Sequence, residues 1–333
     1  MYDIIAIGNA LLDTEFQITD ETLTATGLTR GNMTLADLDA QNELFATLSQ
    51  TGNQIAKQAG GGSAANSMVA FASLGGQAFY QCRVGDDDKG KFYLNDLKAS
   101  GVSTDAAFAI DHDGTTGSCV VLVTPDGERT MQTHLGTSSQ INQDNIKFDT
   151  LKNASWLYLE GYLAMSPSIT TGIMQLRQLA KENGIKVAVS FADPAVVKFA
   201  KSGLDEMLLG GVDAIFCNLE EAKTYTGTTC QESAIKSLGK LAGLVVITNG
   251  SEPTLIANQG DVISVPSMTI DKVVDTNGAG DNYAGAFLYA LTRNHAPDLC
   301  GQLAAHVAAS VVAQFGPRLT SQEYQAIKMK VLG

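Results

Sequence analysis

The chain has 333 residues, enough for one large α/β domain or two smaller ones, with 44% hydrophobic and 17% charged residues, an ordinary globular balance. A formal net charge of −13 argues against nucleic acid or an anionic membrane as partner, although a local site can still hold an anionic nucleotide. Cys82, Cys119, Cys217, Cys230 and Cys300 are scattered without a CxxC pair, which excludes a disulfide frame or zinc site and fits free thiols in a reducing compartment.

The opening "MYDIIAIGNALLD" lacks the basic flank of a signal peptide and reads as a buried strand ending at Gly8. No apolar run approaches the length of a membrane span, so a cytoplasmic protein is expected. Residues 37–59 carry helical spacing, and "GGGSAANSMVAFASLGG" is a glycine turn entering an Ala-rich helix. "GQAFYQCRVGDD" is the next strand, and 87–100 a helix closed by Gly101. Residues 105–136 are β-rich, with hairpin turns expected at "HDG" and "PDG".

From there strands and helices alternate. Strands are predicted at "ASWLYLEGYL", "IKVAVSFAD", "VDAIFCN" and "GLVVITNG", with helices over 166–183, 195–210, 219–226 and 231–241. A hairpin is expected over 254–266 and a long helical region after a strand-like lead into Asp275. This alternation predicts a doubly wound, mostly parallel sheet, with the early β-rich segments forming a separate small sheet.

Three glycine-rich stretches invite a phosphate. "GDDDKGKF" (85–92) has Phe92 where a P-loop needs Ser or Thr, and its aspartates repel phosphate. "GGGSAA" (60–65) matches a dinucleotide fingerprint, but the preceding "QIAKQA" is not a hydrophobic strand, which argues against a dinucleotide-dependent oxidoreductase. "GAGD" (278–281) opens a helix, whose N-terminal N–H groups and positive partial charge suit an anion. Asp281 there is either a general base for an attacking hydroxyl or a plain helix-start aspartate.

Four motifs in order resemble the ribokinase/PfkB family. "DTNGAGD" is similar to its C-terminal signature and "GGSAANSMVAFASLGG" to its N-terminal one, while "NLEE" (218–221) and "TNG" (248–250) match its N-x-x-E and T-x-G elements. "GNALLD", "TGSC" and "GYLAMSP" make the adenosine kinase branch the most similar. The resemblance implies one ribokinase-like α/β domain over 1–333, with a β-sheet lid from segments near 10–36 and 105–136.

It also implies MgATP-dependent phosphorylation of a hydroxymethyl group. Asp281 would be the base and Gly278, Ala279 and Gly280 the anion hole. Asp13, Gly61, Gly62 and Asn66 would grip ribose hydroxyls, with Asn9 adding a nucleoside contact or only turning the chain. Cys119, Met131, Leu135 and Tyr162 would line a base pocket, and Arg129 would reach the phosphates. Asn218 and Glu221 would act on Mg²⁺ through water, or simply cap a helix; Thr248 and Gly250 would lie along the ATP phosphates. A monovalent cation such as K⁺ would sit near the anion hole, with Asp275 as a contributor, and 305–316 would pass near the ATP adenine.

Adenosine to AMP is the first expectation. Ribose, fructose or a keto-sugar acid, inosine or guanosine, and a silent nucleoside-binding protein are the alternatives. A monomer or a homodimer is expected.

Overall fold

The computed structural model describes residues 1–333. An eight-stranded sheet forms the centre, in the spatial order Asp261–Val265, Glu252–Asn258, Ala242–Asn249, Val212–Asn218, Lys186–Ser190, Ala154–Leu159, Tyr2–Ile7, Ala78–Gln81. The last six are mutually parallel, and the first two form an antiparallel edge hairpin. Strand alternation sends Ile4, Ala6 and Tyr158 to one face and Ile5, Ile7 and Leu157 to the other, each into its own apolar core. Both faces are covered, which is why these strands read as unbroken apolar runs. Helices Ser63–Ser73, Ala279–Thr292, Pro297–Val312 and Ser321–Leu332 cover the first face; Thr170–Glu182, Lys201–Leu208 and Gln231–Leu238 cover the second. No helix is long and apolar enough to cross a membrane.

A second, five-stranded sheet has the order Met33–Leu35, Arg129–His134, Gly117–Val123, Leu11–Gln17, Lys57–Gly61. Its last strand departs from the expected helix over 37–59. That helix spans only Leu38–Gln50, because Gly52 turns left-handed (φ 76°) and the chain from Ala56 pairs with Glu15 instead. The "QIAKQA" stretch therefore does lead into a strand, but one in the small sheet rather than a Rossmann core strand.

The hairpin at "PDG" forms, whereas "HDG" makes none. Asp87 draws the Thr116 N–H and hydroxyl onto the start of helix Asp88–Ala99, so Ile110–Asp111 pairs in parallel with Val84–Gly85. The helix expected over 195–210 is two, Pro194–Phe199 and Lys201–Leu208. Ahead of the GAGD turn there is no strand. Val274 and Asp275 donate their N–H groups to Val312 O, and Asp275 turns the chain by accepting from the Asn277 N–H.

Candidate active site

The chain leaves strand Tyr2–Ile7 toward one side of the large sheet and later returns to the other side at Ala154–Leu159. At such a reversal the two sets of connections splay apart, and a crevice opens beyond the carboxyl ends of the strands. A cavity of about 540 Å³ lies there. Asn9, Glu160, Ser190 and Asn218, at or just after four strand ends, and Thr248 near a fifth, line it. The second sheet supplies the opposite wall through Leu11, Asp13, Cys119, Val121, Arg129 and Met131. Ala192, also on the wall, holds a left-handed φ of 69°, a conformation that costs a residue with a Cβ on the order of 1 kcal/mol or more and concentrates at functional sites.

Helix Ala279–Thr292 points its N-terminus into the cavity, and Gly278, Ala279, Gly280 and Asp281 all line it. Gly278 adopts φ 71°, and a Cβ there would stand 2.6 Å from Pro317 O, so only glycine fits. No side chain caps this helix start; the Ala279 N–H makes a long 3.4 Å bond to Thr276 O, and the Gly280 N–H is left available to a ligand. Asp281 accepts from the Ser63 hydroxyl at 2.6 Å and from Asn66 Nδ2 at 2.9 Å. Desolvation pushes its carboxyl above the usual range, while Ser63, Asn66, Arg318 and Arg129 oppose that rise. The carboxylate is thus held in place yet made more basic than a solvated one.

Asp13 lies on the second sheet, 7% exposed. Burial and the neighbouring Glu15 charge push its carboxyl up to about 7. Gly61 does not line the cavity. Its role is negative space, since a Cβ there would come within 2.2 Å of Asp13 Oδ1. Gly62 does line the cavity and has φ 96°. Asn66 also faces the cavity, but both ends of its amide are engaged, Nδ2 with Asp281 and Oδ1 with Arg318 Nε at 2.8 Å. Asn9 donates its backbone N–H to Glu160 and accepts at its carbonyl from Tyr80.

Arg129 is buried and forms an ion pair with the fully buried Asp275 at 2.9 Å. Asp275 also accepts from the Asn277 and Gly316 N–H groups. Arg129 and Asn277 take Oδ1 and the Gly316 N–H takes one position on Oδ2, so Asp275 holds three segments together. Cys119, Met131, Leu135 and Tyr162 come together as expected, joined by Leu11, Val121 and Met165 in an apolar stretch of wall. Tyr162 is tied by its hydroxyl to Asp193.

Asn218 and Glu221 form a reciprocal capping box at the start of helix Leu219–Thr226, the structural role the sequence also allowed. Glu221 nonetheless faces the cavity, and burial together with the Asp193 and Asp281 charges pushes it up to about 7. No cluster of three His, Cys, Asp or Glu side chains could hold a metal by itself. Mutually destabilised carboxyls in a cavity that also holds an uncapped helix start fit a Mg²⁺ that arrives with phosphates and keeps part of its water shell. Thr248 lines the cavity, whereas Gly250 sits in an exposed turn outside it, because its φ of 57° closes the hairpin away from the strand end. None of residues 305–316 lines the cavity either; Val312 and Gly316 are instead bonded to the chain before the GAGD turn.

Three residues were missed. Ser63 holds Asp281. Glu160 is fully buried and bridges the Asn9 and Ala64 N–H groups at 3.0 and 2.8 Å, locking the first strand's exit to the start of helix Ser63–Ser73. A carboxylate ending the apolar run "WLYLEGYL" was the available signal. Arg318 had none, since Asn66 and Asp96, its partners, lie 252 and 222 positions away.

The model of the pfkB family of carbohydrate kinases matches residues 28–323. The chain belongs to this family. It is 28% identical over 340 residues to the adenosine kinase of Saccharomyces cerevisiae, covering 96% of this chain and 97% of that protein. Among solved structures, adenosine kinase from Sinorhizobium meliloti superposes with a TM-score of 0.90 at 30% identity, covering 99% of each chain. A probable sugar kinase from Rhizobium etli CFN 42 superposes at 0.89, also at 30% identity, over 99% of this chain and 98% of that one. The pfkB protein is therefore a ribokinase-like phosphotransferase acting on an alcohol group, a nucleoside or sugar kinase, and its family implies ATP and usually Mg²⁺.

Proposed function

We propose that this kinase phosphorylates the 5′-hydroxymethyl group of a nucleoside, with adenosine as acceptor and AMP as product. One observation carries the reading. Asp281, at an uncapped helix start, shares a cavity with Asp13 and with the apolar wall of Leu11, Cys119, Val121, Met131, Leu135 and Met165. A ribose offers Asp13 hydroxyls to accept from, and a nucleobase fills an apolar slot that a free sugar would leave wet.

In this reading Asp281 takes the proton from the 5′-hydroxyl as that oxygen attacks the terminal phosphate of ATP, and ADP leaves. Ser63 and Asn66 hold Asp281 on the line of attack. The N–H groups of Gly278, Ala279 and Gly280 face the charge that develops on the transferring group. Asn218 and Glu221 would hold Mg²⁺ through water, and the ion supplies charge neutralisation across the phosphates. Thr248 borders the phosphates. The second sheet acts as a lid that excludes water, which would otherwise hydrolyse ATP.

The rival acceptor is a free sugar, which the similarity to the Rhizobium etli protein supports. ADP release from MgATP with adenosine, inosine, guanosine, ribose, fructose and 2-keto-3-deoxygluconate separates the two. Turnover with adenosine well above the sugars is expected. Turnover confined to a free sugar would discard the nucleoside reading while leaving the family intact.

A further inference from the structure

We propose that Arg318 is a positioning residue for Asp281, acting through the side-chain amide of Asn66. The inference rests on the reading of Asp281 as the base and goes beyond it to a residue with no place in the family motifs.

Asn66 stands between two groups of opposite character. Arg318 Nε lies 2.8 Å from Oδ1, and Asp281 Oδ2 lies 2.9 Å from Nδ2. A guanidinium has only donors and an ionised carboxylate only acceptors. The amide can therefore satisfy both in one orientation alone. Without Arg318, Asn66 Oδ1 loses its charged donor and the Asp281 carboxylate alone is left to hold the amide.

Arg318 is itself held. Its Nη1 donates to Asp96 at 2.5 Å, and its side chain is 9% exposed. Gly60 leaves the room, since a Cβ there would come 2.6 Å from Asp96 Oδ2 and 3.4 Å from Arg318 Nη1. The stretch that carries Arg318 is pinned to the same turn as Asp281. Pro317 O accepts from Asn282 Nδ2 at 2.7 Å, and the Gly316 N–H reaches Asp275 at 3.0 Å. The chain Asp96, Arg318, Asn66, Asp281 thus runs from one helix through a loop to the candidate base.

Other groups act on Asp281 as well. Ser63 and Asn66 face it from helix Ser63–Ser73, Tyr158 and Glu160 from the central sheet, and Asp13 and Arg129 from the second sheet, with Tyr162 and Glu221 further round the cavity. Arg318 differs from Arg129 in being wired to Asp281 through one amide.

The test is the pH dependence of kcat and kcat/KM with adenosine and MgATP. Arg318→Lys keeps a charged, donor-only side chain but offers one ammonium for two guanidinium nitrogens, and is expected to lose clearly less than Arg318→Gln. Arg318→Gln can accept as well as donate, so it frees the amide. It is expected to lower kcat on the order of tenfold and to move the acid limb to higher pH. In an Asn66→Ala background, Arg318→Gln should lower kcat no further, and its effect on the acid limb should shrink to what the lost Arg318 charge exerts directly. Parent-like profiles for Arg318→Gln, equal losses in Lys and Gln variants, or an undiminished effect in the Asn66→Ala background would each overturn the proposal. Asp96→Asn loosens the same guanidinium at a half-buried position and covers the case in which Gln at 318 does not fold: a smaller shift in the same direction supports the proposal, and a parent profile overturns it. Asp281→Asn separates the two levels. If it stays active, the base assignment falls and this proposal with it; if it is inactive while Arg318→Gln is unchanged, only this proposal falls.

Discussion

At the scale of the residue, Asp281 has two donors on its oxygens and a helix start behind it. Desolvation raises its proton affinity, and hydrogen bonding from Ser63 and Asn66 favours the ionised form against that rise. Together these suit a group that must be charged at rest and still accept a proton. Asp281→Asn keeps the size of the side chain and the helix start while removing the base. Its kcat should fall on the order of 10² to 10⁴-fold, with adenosine affinity by calorimetry nearly unchanged. A variant that retains turnover would show that the proton leaves by another route. The sequence resemblance gave Asn66 to the ribose; the structure adds that its amide bridges Arg318 and Asp281, with one N–H and one lone pair left over on the cavity wall.

At the scale of the element, the short strand Lys57–Gly61 does more than its sequence suggests. It pairs with Leu11–Gln17, and its two terminal glycines leave space on opposite sides, Gly60 for Asp96 and Arg318, Gly61 for Asp13. Gly61→Ala would place a methyl group inside contact distance of the Asp13 carboxylate, and that side chain must move. With Asp13 displaced, the acceptor loses a hydrogen bond to a charged group. The KM for the acceptor should rise on the order of tenfold or more at saturating ATP, with the KM for ATP little changed. An unchanged acceptor KM would mean that Asp13 does not touch the acceptor. The same strand explains why helical spacing over 37–59 misled: periodicity cannot register a left-handed Gly52 or a partner strand 42 to 50 residues earlier in the chain.

At the scale of the whole molecule, the two sheets meet across a cavity crowded with carboxyls. Burial pushes Asp13, Glu160 and Glu221 up to about 7. Between the ordinary carboxylate range of about 4 and about 7, the folded protein holds protons that the unfolded chain has already released. The folded state is then the one that binds more protons, so stability falls as pH rises through that window. Carboxyls shifted the other way, such as Asp87 and Asp111, exert their effect below it. The melting temperature of the free protein is therefore expected to decline from about pH 5 to about pH 8. A flat or rising profile by scanning calorimetry would show that these carboxyls ionise without cost in the fold. The Arg129 to Asp275 pair is a charge contact that ties the second sheet to the GAGD turn.

The parallel sheet, its covering helices and the second sheet were legible because each rests on local pattern: apolar runs of strand length, helical periodicity, glycine at turns. The GAGD turn was legible as a glycine turn opening a helix, whereas Asp13 and the apolar wall were expected only from the family resemblance; the structure lines one cavity with all of them. What the order of residues leaves undecided is which distant side chains meet. Glu160 joins two segments through N–H groups at positions 9 and 64, and Arg318 reaches Asn66 across 252 positions. Such contacts have no periodicity and no spacing, because they arise only where the doubled-back chain brings strand ends, a helix start and a loop to one crevice. Burial and the charges gathered there then push a carboxyl up to about 7, and the partners on either side of an amide decide which way it faces.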